Sequence, residues 1–165
     1  MLRRPSTGTR TSQLGWARTV LEALQFLATS CAAIFAGAAL YINLVEHPAR
    51  LSLDTAAAVA QWAPSYQRAT LMQAPLAVVG FLAAFGVWLL GGGVVWLTAA
   101  ILIGAVVPFT FLGIMSTNHK LLAPDRDRAS PETRTLLQKW GWLHGVRTVL
   151  SIIATALMLW GLHGV

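Results

Sequence analysis

Long apolar stretches alternate with short polar segments along this chain. Four of the stretches are long enough to cross a hydrocarbon core about 30 Å thick, which takes about 20 mostly apolar residues. They run approximately over residues 24–45, 69–90, 94–115 and 143–162. Three consecutive glycines, Gly91, Gly92 and Gly93, join the second stretch to the third, so these two are expected to be antiparallel neighbours. The pattern predicts an all-α, membrane-embedded four-helix bundle with up-down-up-down topology.

The two longer connections fall on one side of this predicted bundle, and each carries a helix start. Asp54 is placed to cap a short alanine-rich helix that stops before Pro64. Ser130 and Pro131 form an N-cap followed by proline at the first helical position, and this helix is expected to continue into the fourth span. We therefore divide the chain into a flexible basic segment, residues 1–18, and a single four-span domain, residues 19–165.

Composition excludes a soluble domain of this length. Hydrophobic residues make up 56% of the 165 residues and charged residues 11%, with a mean hydropathy of +0.62. The net charge of +6 comes from cations near the predicted ends of the spans, where they meet lipid headgroups. No basic groove with interleaved stacking aromatics is present, so we predict no nucleic-acid partner. Comparing the cations on the two sides favours an orientation with both termini outside.

Tryptophan prefers the boundary between lipid and water, which gives a second indication of topology. The seven tryptophans divide into two predicted interfacial belts, one on the side of the termini and one on the side of the long connections. The first belt is Trp16, Trp88, Trp96 and Trp160, and the second is Trp62, Trp140 and Trp142.

Two further features concern how the spans pack. Pro75 and Pro108 each remove a helical hydrogen bond, so they predict bends in the second and third spans. Small residues let membrane helices approach closely, and the ones expected at helix contacts are Ala33, Gly37, Gly80, Ala84 and Gly104.

Polar side chains inside or beside lipid are costly, so their convergence is the best functional signal in the sequence. Alternating topology places the polar ends of all four spans at the membrane face that carries the long connections. Helical spacing puts His144 and Arg147 on one face of the fourth span, and an inward Arg147 is expected to pair with Glu46 of the first. We predict a pocket there, with these candidate residues: Asn43, Glu46, His47, Tyr66, Arg68, Gln73, Thr110, Asn118, Trp140, His144 and Arg147.

Metal chemistry has no strong signature in this sequence, and no metal site is predicted. Histidines on facing helices, His47 and His144, nevertheless leave a haem- or metal-binding redox module open as an alternative. A membrane protein that assembles with a partner and performs no chemistry is another alternative, and a homo-oligomer is compatible with all of these interpretations.

The polar segments resemble the anthrone oxygenase-like family of small four-helix membrane proteins, which is largely uncharacterised. The resemblance covers most of the chain after the N-terminal segment, and the order and spacing of its short motifs make it specific. The motifs are residues 41–48 (YINLVEHP), Trp62 with residues 66–68 (YQR), residues 108–110 (PFT), residues 117–118 (TN), and residues 140–147 from Trp140 through His144 to Arg147.

This resemblance implies a reaction and roles for the candidate residues. Characterised members oxidise an anthrone to an anthraquinone with O2, so it implies a small hydrophobic aromatic substrate and no resident cofactor. A base would remove an acidic carbon-bound proton, and the enolate would react with O2. His144 or His47 would be that base, and Arg147 and Asn118 would stabilise the oxyanion. Tyr66 and Trp140 would stack on the rings. Contacts to the substrate are expected from Asn43, Glu46, Arg68, Gln73 and Thr110.

Overall fold

A computed structural model describes the backbone of residues 7–164 and the side chains of residues 15–164. The first helix begins at Thr7, within the segment that we predicted to be flexible. Residues 1–6, which include Arg3 and Arg4, lie outside the described range, as does the side chain of Arg10.

Four helices of the described residues are long and apolar enough to cross a membrane. The first span consists of α1 (Thr7–Tyr41), a π-helical turn (Ile42–Glu46) and α2 (His47–Leu51), and the second is α3 (Thr55–Leu89). The third consists of α4 (Val94–Phe109), a second π-helical turn (Thr110–Ile114) and α5 (Met115–Leu122), and the fourth is α6 (Pro131–Gly161). Spans adjacent in sequence pack together, and the first also packs against the fourth. The predicted membrane four-helix bundle is confirmed.

Two helices begin directly after the capping residues predicted from the sequence. The Asp54 carboxylate accepts a hydrogen bond from the Ala57 backbone N–H at 2.9 Å, and the Ser130 hydroxyl accepts one from Thr133 N–H at 3.2 Å. The expected helix end before Pro64 is wrong, because α3 continues through Pro64 and Pro75 to Leu89. Each proline removes one hydrogen bond, whereas unwinding the helix near lipid would leave several backbone groups without partners.

The two π-helical turns lie at the same end of the bundle, and each is close to a proline. Ile42–Glu46 comes just before Pro48, and Thr110–Ile114 comes just after Pro108. A π-helical turn holds one more residue than an α-helical turn and shifts the residues after it around the helix axis. Such turns are common at functional sites, and these two occur where the polar residues collect.

The bundle is held together away from the loops by a core rich in alanine. Ala28, Ala32, Phe35 and Ala39 form the buried face of α1 and recur at helical spacing. Gly80 lies against Cys31, as expected for a packing glycine. The expectation for Ala33 and Gly37 is wrong, because both lie on the exposed face of α1.

The two tryptophan belts are only partly present. Trp16, Trp142 and Trp160 are exposed, as interfacial residues should be. The assignment to an interfacial belt is wrong for Trp62, Trp96 and Trp140, because all three lie inside the bundle. Trp96 fills the space beside Gly161, where a Cβ atom would lie 2.7 Å from the indole nitrogen. Large aromatic rings thus fill the interior near the ends of a bundle whose middle is packed with alanine.

We expect Gly161→Ala to lower the free energy of unfolding by about 1–3 kcal/mol, the usual cost of forcing a carbon into a filled core. Gly37→Ala is the matched control, because a Cβ at Gly37 meets no atom within 4 Å and alanine favours the helix. Thermal unfolding of both variants in the same lipid nanodiscs measures the difference. Equal losses of stability in the two variants would contradict this account of Trp96 packing.

Candidate active site

Asn43 connects the first span to the fourth at the loop end of the bundle. Its side-chain Nδ2 donates to the Gly141 carbonyl at 3.0 Å. A carbonyl can only accept, so the amide oxygen faces the other way, where it accepts hydrogen bonds from His144 Nδ1 at 2.7 Å and Thr148 Oγ1 at 2.6 Å. The ring hydrogen of a neutral His144 is therefore on Nδ1. This leaves Nε2 as the proton acceptor of an almost fully buried imidazole.

His47 has the opposite arrangement. The Arg50 guanidinium lies 3.2 Å from His47 Nδ1, and because arginine only donates, Nδ1 accepts and Nε2 carries the hydrogen. That Nε2 is buried and has no hydrogen-bond partner among the described residues. It packs on Gly141, where a Cβ atom would lie only 2.5 Å away. His47 thus has no free lone pair with which to accept a proton.

Arg50 is the centre of a buried polar network. Its Nη2 donates to Glu46 Oε1 at 2.5 Å, which forms an ion pair one helical turn apart. The same guanidinium donates to Gln61 Oε1 and, at 3.3 Å, to Ser65 Oγ. Ser65 Oγ in turn donates to Glu46 Oε1. The network joins the first and second spans and satisfies a guanidinium that is only 3% exposed.

The expected pair between Arg147 and Glu46 is wrong. Arg147 Nη2 donates to Gln73 Oε1 at 2.9 Å, and the guanidinium carbon lies 5.4 Å from the centre of the Phe35 ring. Within residues 15–164, no carboxylate oxygen lies within 4.0 Å of this guanidinium, and its Nε has no hydrogen-bond partner. Arg147 is 8% exposed. The fourth span therefore buries a cation without a counter-ion, which is costly beside lipid.

An inner cavity with two adjoining compartments lies between the spans. The polar compartment, of about 10 Å³, is lined by residues that include Arg50, Ser65, Gln73, Trp140 and His144. The apolar compartment, of about 90 Å³, is lined by residues that include Phe35, Ala77, Val106, Phe111 and Met115. Tyr66, Thr70 and Arg147 line both compartments. Arg147 is thus the single charged residue on the apolar wall and lies beside the compartment that holds His144.

Trp140 holds both imidazoles in place. Its ring stacks on His144 at a centroid distance of 4.9 Å and contacts His47 at 5.2 Å. A haem held between the two histidines would have to displace this indole, and His47 carries its ring hydrogen on Nε2, which leaves it no free nitrogen to ligate iron. The described part of the chain contains no group of three or more His, Cys, Asp or Glu residues that could hold a metal ion.

A comparison with protein families matches the anthrone oxygenase model to residues 62–157, which is more than half of the chain. The chain belongs to the anthrone oxygenase family. The matched region includes Gln73, His144 and Arg147 but not the first span with Asn43 and Arg50. No curated protein and no solved structure matches the chain.

The predicted site residues of this family member fall into two groups. Those that line the inner cavity or bond directly to a residue that lines it are Asn43, Glu46, His47, Tyr66, Gln73, Thr110, Trp140, His144 and Arg147. His47 also lines an outer groove between the first and fourth spans. Two others lie apart from the cavity. Arg68 is exposed in a groove between the first and second spans. Asn118 is fully buried but lines neither compartment.

Arg50 and Ser65 take part in this polar network but were not among the predicted site residues, and Thr148, which the sequence placed at the polar end of the fourth span, bonds to Asn43. Glu46 and Arg50 are four residues apart, the spacing of a helical ion pair, and this signal was available in the sequence. Thr148 is likewise one turn after His144. Ser65 gave no signal, because its role depends on how the second span is rotated against the first.

Glu46→Gln is expected to destabilise this anthrone oxygenase family member by about 3 kcal/mol, the lower end of the cost of breaking a buried ion pair, because the Glu46 side chain is 21% exposed. The matched control is Glu22→Gln, whose pair with Arg18 has the same four-residue spacing on the surface. Its expected change is about 0–1 kcal/mol. Thermal unfolding in nanodiscs compares the two, and a similar small effect for both would show that Arg50 does not depend on Glu46.

Proposed function

We propose that this protein is a cofactor-independent oxygenase that converts an anthrone, or a similarly activated aromatic ketone, to the corresponding quinone with O2. One observation carries the proposal: a histidine with a free proton-accepting nitrogen and an arginine without a counter-ion among the described residues line the same inner cavity. Membership of the anthrone oxygenase family supports the choice of substrate class. The membrane spans suit a substrate that dissolves in lipid.

The chemistry can be written so that atoms and electrons balance. A base removes one proton from the acidic CH2 carbon and forms an enolate. The enolate carbon transfers an electron to O2, and the two radicals combine to give a carbon-bound peroxide that takes up a proton. Loss of the second proton from the same carbon breaks the O–O bond, which leaves C=O on the substrate and releases water. The substrate loses two hydrogens and gains one oxygen, and O2 is reduced by four electrons.

His144 is the base in this proposal, because its Nε2 is free while Nδ1 donates to Asn43. Asn43 and Thr148 are positioning residues, since they fix the tautomer and the ring orientation through the same amide oxygen. Trp140 restrains the imidazole by stacking on one of its faces. His47 is not assigned this role, because its two nitrogens are occupied by Arg50 and by its own hydrogen.

Arg147 stabilises the negative charge that develops on the enolate oxygen. A preorganised donor is worth most in a site that excludes water, and no carboxylate of the described residues competes for this guanidinium. Gln73 is its positioning residue through the 2.9 Å hydrogen bond. The aromatic rings would lie in the apolar compartment against Tyr66 and Thr110. Asn118 and Arg68 have no part in this mechanism.

We expect His144→Gln to lower the rate of O2 consumption with anthrone by about 10²–10⁴-fold, the usual contribution of a general base. An oxygen electrode on purified protein in nanodiscs measures the rate, and circular dichroism checks that the variant is folded. His119→Gln is the matched control, because His119 is exposed. Full activity in His144→Gln together with its loss in His47→Gln would assign the base to His47 instead.

We expect Arg147→Gln to lower kcat for the same reaction by about 10²–10³-fold, as removal of an oxyanion donor does elsewhere. The loss should fall on kcat more than on KM, because the charge develops in the transition state. Arg128→Gln, which changes an exposed loop arginine, provides the control. A rise in KM with unchanged kcat would show that Arg147 only binds the substrate.

A further inference from the structure

The second and third spans separate at the loop end of the bundle. α3 packs closely along α4 (Val94–Phe109), but it has few contacts with α5 (Met115–Leu122) and fewer with the π-helical turn Thr110–Ile114. The separation begins just after Pro108, at the place where the third span changes its helical geometry. A gap between two membrane helices faces the hydrocarbon of the bilayer.

The apolar compartment opens into this gap. Its lining includes the exposed residues Thr70 and Ala74 of the second span and Phe111 of the third, which is 63% exposed. At its inner end the same compartment reaches Arg147. The opening is surrounded by exposed apolar side chains such as Leu71 and Leu112, so its mouth is in contact with lipid rather than water.

Two larger grooves on other sides of the bundle have neither His144 nor Arg147 in their walls. A groove of about 630 Å³ between the first and fourth spans is lined by Asn43 and His47, but neither His144 nor Arg147 is part of its wall. A groove of about 570 Å³ between the first and second spans likewise includes neither residue. The groove between the first and second spans shares Ile42, Ser65 and Ala69 with the polar compartment, whereas the apolar compartment reaches Arg147 from the gap between the second and third spans. This gap is therefore the apolar route from lipid to Arg147.

The size of the apolar compartment also favours an opening to lipid. An engineered closed cavity of about 150 Å³ in another protein holds a single benzene ring. The apolar compartment measures about 90 Å³, so three fused rings cannot be enclosed in it. Part of such a molecule has to lie in the gap, between Thr70 and Phe111, while its leading edge reaches Arg147.

We infer that the aromatic ketone enters, and the quinone leaves, directly from the bilayer through the gap between the second and third spans, with Thr70, Ala74 and Phe111 at its mouth. The inference rests on the proposed function for the identity of the substrate. An outer ring stays in contact with lipid and Phe111, while the carbonyl oxygen of the central ring reaches Arg147 and the CH2 carbon on its opposite edge faces the compartment that holds His144.

Ligand protection tests the location of the mouth without using activity. Single-cysteine variants are made in a Cys31→Ala background, because Cys31 is the only cysteine of the chain. Thr70→Cys reports on the mouth, and Val149→Cys, in the groove between the first and fourth spans, is the matched control. In nanodiscs, anthraquinone at ten times its Kd should slow modification of Thr70→Cys by N-ethylmaleimide about tenfold. Protection of Val149→Cys alone would overturn the inference.

Obstruction tests whether the mouth is used during turnover. Ala74→Trp should lower kcat/KM for anthrone by about 10–200-fold, the range typical of steric misfit in an apolar pocket. Val149→Trp should leave it at the wild-type value. Equal effects of the two variants, with wild-type activity present, would overturn lateral entry and leave the oxygenase proposal standing. If anthraquinone protects Thr70→Cys but the wild-type protein consumes no O2 with anthrone, the lateral binding site is supported and the oxygenase proposal is rejected.

Discussion

Two arginines are buried in a bundle that faces hydrocarbon, and the different ways in which they are accommodated organise its loop end. Arg50 has a full set of partners, with Glu46 as counter-ion and Gln61, Ser65 and His47 around it. Among the described residues, the Arg147 guanidinium contacts the neutral Gln73 and the face of Phe35 and no carboxylate. Since a buried charge is costly unless it is neutralised, the first arrangement stabilises the fold and the second keeps a positive charge available to a ligand.

The orientation of His144 depends on the backbone at Asn43 and at Gly141. The π-helical turn Ile42–Glu46 contains Asn43, and Gly141 has no side chain to fill the space in which His47 lies. These features let the Asn43 amide bond simultaneously to the Gly141 carbonyl and to His144. The π-helical turn in the first span therefore positions Asn43, and Asn43 determines which nitrogen of His144 in the fourth span can accept a proton.

The position of the cavity suits the proposed oxygenation of an aromatic ketone. Hydrocarbon and aromatic side chains exclude water around Arg147, and an electrostatic interaction is strongest where the surroundings are least polar. The bilayer also dissolves aromatic ketones, so it concentrates them beside the open side of the bundle. The same separation of the second and third spans that leaves the cavity partly unfilled gives access to it from lipid.

The sequence by itself determined the membrane spans, their alternating topology, the caps at Asp54 and Ser130, and the end of the bundle where the polar residues collect, because apolar length and local hydrogen bonding are properties of neighbouring residues. The helical spacing of His144 and Arg147 likewise placed both on one face. Only the tertiary structure decided that Arg147 bonds to Gln73 and not to Glu46, that Trp62, Trp96 and Trp140 face inward, and that Asn118 lines neither compartment. These outcomes depend on the rotation of each helix about its axis, and in the first and third spans a π-helical turn alters that rotation in a way that no regular periodicity predicts.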